Sequence, residues 1–141
     1  IMLAMTLILS GCGPETSQES KSEQTAKEPL QSDMELTRKI ENLASSHQAV
    51  DQSAAVVLDK DIFIGLKVSG FNRFFLEKIK KEVHTQVREL VSDEPFIHIT
   101  TDKRLFRDIN KVAQQLQKVN GLASPEMQNE VLKLHKDLGG H

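Results

Sequence analysis

The side chains that could do chemistry in this chain are few and scattered. The five histidines are His47, His84, His98, His135 and His141. None is paired at the short spacing that sets two imidazoles on one helix face around a metal. Asp59 and Asp61 bracket Lys60, where acidic residues suit the backbone of a turn as well as any reaction. His98, Thr100 and Asp102 alternate near the end of an apolar segment and offer a small polar cluster, or simply the wet face of a sheet. No GxSxG, P-loop or GxGxxG string is present to supply a nucleophile or a phosphate cradle. The spacing therefore predicts a non-enzyme, without cofactor and without a metal site.

One residue does carry a specific signal. Cys12 is the single cysteine, so neither an intrachain disulfide nor a cysteine-rich zinc site can form. It follows the uncharged run LAMTLIL and the small residues Ser10 and Gly11. That run is too short for a membrane span of about 20 residues and has the form of a secretory signal core. The string LSGC resembles a bacterial lipobox, which implies cleavage before Cys12 and acylation of its thiol. A buried cysteine in an N-terminal element is the alternative, and Gly13-Pro14 argues against a continuing element. No basic residues precede the run, so residues 1–11 are expected to be a signal peptide truncated at its N-terminus.

The elements that would position any site begin further on. Residues 12–32 are expected to be a lipidated cysteine and a disordered tether, because the stretch is dominated by Ser, Glu, Gln, Thr and Lys. About 20 flexible residues reach roughly 25 Å, enough to hold a domain clear of a membrane. Residues 33–121 are expected to fold, with Ser32 and Glu35 as a capping box for the first helix. A C-terminal helix occupies residues 122–141, started by Ser124-Pro125-Glu126.

Residues 54–68, AAVVLDKDIFIGLKV, predict a hairpin with Asp59-Lys60-Asp61 as its loop. On that register Ala54, Val56 and Leu58 share a face with Ile62, Ile64 and Leu66, and Val57, Phe63 and Lys67 point the other way. Gly65 inside the second strand signals a bulge or a close backbone approach. A helix carrying Leu76, Ile79, Val83, Val87 and Leu90 follows, then a strand FIHIT at residues 96–100. The next helix is capped by Asp102 and buries Leu105, Ile109, Val112 and Leu116. The fold expected is α+β, an αββαβα sandwich with a three-stranded mixed sheet of order 2-1-3. Residues 54–58 are then central and antiparallel to both neighbours, and the helices lie on one face, with the C-terminal helix in addition.

At 141 residues, 38% hydrophobic and with a net charge of -2, the chain predicts one core and no global bias toward nucleic acid. The lack of Trp and Tyr leaves few stacking platforms, and the αββαβ order lacks the GxxG loop of a KH module. Two surfaces remain as candidates. One is the outer sheet face with Val57, Phe63, Lys67 and His98, which is a binding patch unless the C-terminal helix covers it. The other is basic, with Lys103, Arg104, Arg107 and Lys111 on one helix and Lys78 and Lys81 on another, suited to anionic headgroups or wall polymer.

The lipobox, the polar tether, AAVVLDKDIFIGLKV, FIHITTD and DINKVAQQL together resemble the YhcN/YlaJ-type sporulation lipoproteins of endospore-forming bacteria, over residues 35–121. The resemblance implies a lipid-anchored, extracytoplasmic protein of the spore membrane. It further implies a link to germination or outgrowth, palmitate on Cys12, and a spore-envelope partner or self-association. The strand order is also similar to BON domains, and a lipid- or peptidoglycan-binding envelope lipoprotein outside sporulation is the alternative.

Overall fold

The apolar runs on either side of Asp59 and Lys60 form two paired strands, and the helices are layered over both of their faces. A computed structural model describes residues 29–139. The readings on the signal run, Cys12, the bulk of the tether and His141 lie outside the described residues. In chain order the elements are β1 (Leu30–Gln31), α1 (Met34–Ser45), β2 (Gln52–Leu58) and β3 (Asp61–Lys67). A 3-10 turn (Gly70–Phe75) and α2 (Leu76–Leu90) come next, then β4 (Phe96–Thr100), α3 (Lys103–Lys118), β5 (Leu122–Ala123) and α4 (Pro125–Gly139).

The α+β class and the three-stranded mixed sheet are as the sequence predicts, but the strand order is different. β3 is central, antiparallel to β2 and parallel to β4. The reason lies at the outer edge of β2, whose backbone groups are already engaged. The Glu41 carboxylate accepts from Ala55 N–H at 3.1 Å, and the Ser32 hydroxyl donates to the Val57 carbonyl. An edge satisfied in this way offers no ladder to a further strand, so β4 pairs with the free edge of β3. Ser32 is thereby taken from the role of helix cap. Asp33 caps α1 instead, accepting from Leu36 N–H at 2.9 Å.

The hairpin register also differs by one residue. Asp61 is the first residue of β3, and the loop is the pair Asp59-Lys60, with Asp59 in the left-handed region at φ 56°. Aspartate tolerates that conformation better than most residues. Val57 then pairs with Ile62 and Val56 with Phe63. Ala55, Val57, Ile62, Ile64 and Leu66 face α1 and α2, where Ile40, Ala44, Ile79, Val83 and Val87 close over them. Ala54, Val56, Leu58 and Phe63 face α3 and α4, under Phe106, Ile109, Val112, Leu116, Val131 and Leu134. The helices thus lie on both faces, contrary to the one-sided layer predicted, because both faces of the hairpin are equally apolar and both must be buried.

Caps hold the second layer in place. Asp102 accepts from Arg104 N–H at 2.8 Å and Leu105 N–H at 2.9 Å, and Ser124 accepts from Met127 N–H at 3.3 Å. After α3, Gly121 takes φ 83°, and a Cβ there would lie 2.8 Å from the Ser32 carbonyl oxygen. The close approach lets Leu30 and Gln31 pair with β5, so these two residues, expected to belong to the disordered tether of residues 12–32, are part of the fold. On the first layer, His47 accepts from Ala49 N–H through Nδ1 at 3.1 Å, which leaves Nε2–H to donate to Glu82 at 2.8 Å. It ties the end of α1 to α2 by that contact.

Candidate functional site

The candidate interaction residues separate into three environments. Val57 and Phe63 are buried, at 6% and 0% exposure, on opposite faces of the sheet. The expected patch joining them is therefore absent, and the covering helices are the reason. His98 is half-buried beside Asp61, and the Thr100 hydroxyl accepts from Asp102 N–H at 3.1 Å. The polar cluster of His98, Thr100 and Asp102 is thus divided among separate tasks.

The third environment collects the remaining residues. Lys67 at the end of β3 and Lys103, Arg104 and Arg107 at the start of α3 line one open cleft of about 480 Å³. Lys103 and Arg107 are four apart, and Arg104 and Arg107 three apart, so a single helix face carries them. The cleft also takes Arg73 from the 3-10 turn, over a floor of Leu66, Val68, Leu76 and Phe106. Sequence reasoning missed Arg73, since nothing in the spacing tells that its turn meets the start of α3. Lys67 is steadied by Gln52 Oε1 at 3.2 Å and lies 5.4 Å from the centroid of the Phe106 ring.

Five cations thus face one carboxylate, Asp102, which is committed to capping α3. The Leu105 N–H, helped by the Arg104 N–H and the Arg104 and Arg107 charges, holds the Asp102 carboxyl below the usual aspartate range. Arg104 also comes within 3.7 Å of Asp137 on α4. Lys111 lies beyond the cleft and pairs with Glu130 at 3.3 Å. On α2, Lys78 pairs with Glu82 at 3.8 Å, while Lys81 borders a shallow groove with Glu77, Lys80 and His84. A larger groove, near 670 Å³, lies between the start of α1 and the hairpin turn, but its charges are of mixed sign and partly paired, as in Lys39 and Glu35 at 2.9 Å.

The 3-10 turn that supplies Arg73 also presents an apolar edge. Phe71, Phe74 and Phe75 are 86%, 80% and 57% exposed. Half of the chain's six phenylalanines therefore stand in solvent within five positions. The sequence carried no signal for their exposure: Phe71 and Phe75 precede Ile79, Val83 and Val87 at steps of four, so spacing alone extends the buried stripe of α2 through them. The arrangement can hold an anion while setting aromatic rings into an apolar or interfacial phase. Among the described residues no helix is long and apolar enough to cross a membrane.

The structure is a small α+β domain with a basic cleft and, on the turn that supplies Arg73, exposed aromatic rings. Its sequence matches the sporulation lipoprotein YhcN/YlaJ family across residues 13–136, and the chain belongs to that family. The match takes in nearly all of α4 and the polar segment as well as the core. Membership indicates association with a membrane through a lipid anchor. Comparison with curated proteins and with solved structures returned no match.

Proposed function

We propose that this chain is a non-enzymatic, lipid-anchored protein of the spore membrane whose domain docks on an anionic membrane surface. The lipid is attached at Cys12. The observation that carries the reading is the cleft of Lys67, Arg73, Lys103, Arg104 and Arg107 beside exposed Phe71, Phe74 and Phe75. Each cation near an anionic surface contributes about 1 kcal/mol, and aromatic rings favour the headgroup boundary. A short tether makes docking intramolecular, at an effective concentration in the millimolar range, so weak intrinsic affinity suffices. Membership of a sporulation family supports the spore over a general envelope role, and a contribution to germination or outgrowth is part of the same proposal.

The test is co-sedimentation of the full chain, carrying Cys12→Ser to remove the acyl acceptor, with phosphatidylglycerol and with phosphatidylcholine vesicles. Binding is expected only to the anionic vesicles. It should fall as salt rises and be lost in the double variant Arg104→Glu, Arg107→Glu. Equal binding to both vesicle types, or an unaffected double variant, would overturn the reading.

A further inference from the structure

Beneath α4, on the side of the sheet that carries Phe63, three ligand-type side chains from three elements meet. Asp61 opens β3, His98 lies on β4 in register with Phe63, and His135 comes down from α4. His98 Nε2 is 3.0 Å from Asp61 Oδ1, and His135 Nε2 is 3.8 Å from the same oxygen. One donor atom from each residue lies within 4.8 Å of the others. Phe63 stacks on the His98 ring with centroids 4.9 Å apart and planes 15° from parallel, which fixes the imidazole. His135 stands edge-on to that ring at 5.3 Å.

We propose that Asp61, His98 and His135 bind a divalent first-row transition metal of the zinc type, which pins α4 to the sheet. Two imidazole nitrogens and one carboxylate oxygen are a donor set that such ions take and that calcium or magnesium does not favour. With bonds of about 2.0 to 2.2 Å, tetrahedral donors around one ion stand about 3.3 to 3.6 Å apart. Closure from the observed spacing therefore needs a shift of up to about 1.5 Å. The His135 side chain, 52% exposed, supplies it by turning, while Asp61 and His98 are held at 25% and 16% exposure. Remaining coordination positions open to solvent beside His135. The ligands are separated by 37 positions each, and an ion bridging them joins the C-terminal helix to the central and outer strands, so its binding stabilises the fold.

The proposal is tested on the full chain by titration with cobalt(II) and zinc(II), followed by visible absorption and by the thermal midpoint. One equivalent of cobalt with the absorption of a low-coordinate ion is expected, together with a rise in Tm with zinc that a chelator reverses. His135→Gln is half-exposed and should fold normally while losing at least about tenfold in affinity. His47→Gln, at a distant histidine, should bind as the parent does. Absence of a bound equivalent, or a His135→Gln variant that binds like the parent, would overturn the assignment and leave the three residues as a hydrogen-bonded cluster only.

Discussion

A Cβ placed on Gly65 would lie 2.9 Å from Phe106 Cδ2 and 3.2 Å from Phe106 Cα. The first turn of α3 therefore rests directly on the backbone of the central strand, and the side-chain-free position is what allows it. Gly65 does mark a close approach, as its place inside a strand suggests. The same contact sets the height of α3 above the sheet, and with it the positions of Lys103, Arg104 and Arg107.

Gly65→Ala should accordingly destabilise the domain by about 1 to 3 kcal/mol, because the obstacle includes backbone that cannot rotate away. Denaturant unfolding measures the loss, and an unchanged midpoint would show that α3 lifts freely.

Phe63 and Phe71 are two phenylalanines eight positions apart with opposite surroundings. Phe63→Ala opens a cavity under α3 and α4 and should cost about 3 to 5 kcal/mol. Phe71→Ala removes a ring that stands in solvent and should stay within about 0.5 kcal/mol of the parent. Paired unfolding curves check the contrast, and similar losses would contradict the assignment of these faces.

Glu41 links stability to pH through the edge of β2. Burial pushes its carboxyl above the ordinary glutamate value, and the hydrogen bond from Ala55 N–H opposes that shift only in part. A raised folded value means the contribution is fully present below about pH 4.5 and is lost as pH rises through the folded value. Glu41→Gln keeps an acceptor for Ala55 and removes the charge. Relative to the parent, the variant should gain in Tm as pH rises above about 4.5, and the difference should level off once Glu41 is fully ionised. A difference that is flat with pH would remove Glu41 as the cause.

The acyl acceptor is tested by metabolic labelling with a radiolabelled fatty acid. The parent should incorporate label and sediment with membranes, and Cys12→Ala should do neither, because stable anchoring requires the acyl chains. Labelling retained in the variant would place the lipid elsewhere.

The helices were legible because each buries one stripe at helical spacing, as Leu105, Ile109, Val112 and Leu116 show in α3. The hairpin was legible as a hairpin but not in its register. Alternation carries register only when one face is polar, and here Ala54, Val56 and Leu58 are as apolar as Ala55 and Val57. Strand order turned on Ser32 and Glu41, whose engagement with β2 is a tertiary event with no local signature. The cations of α3 could be read as a patch from their spacing, whereas Lys67 and Arg73 joined them only through packing. Asp61, His98 and His135 were invisible as a group, since a strand start, a strand centre and a helix far along the chain contribute one residue each.

The most direct test of membrane docking uses the lack of Trp and Tyr in the chain. Phe74→Trp on the Cys12→Ser background introduces a single fluorophore at a position 80% exposed. Addition of phosphatidylglycerol vesicles should shift its emission to the blue and shield it from aqueous quencher, an effect reduced by salt and by Arg104→Glu with Arg107→Glu. An emission maximum that stays at its fully hydrated position while vesicles are present in excess would contradict docking through this edge.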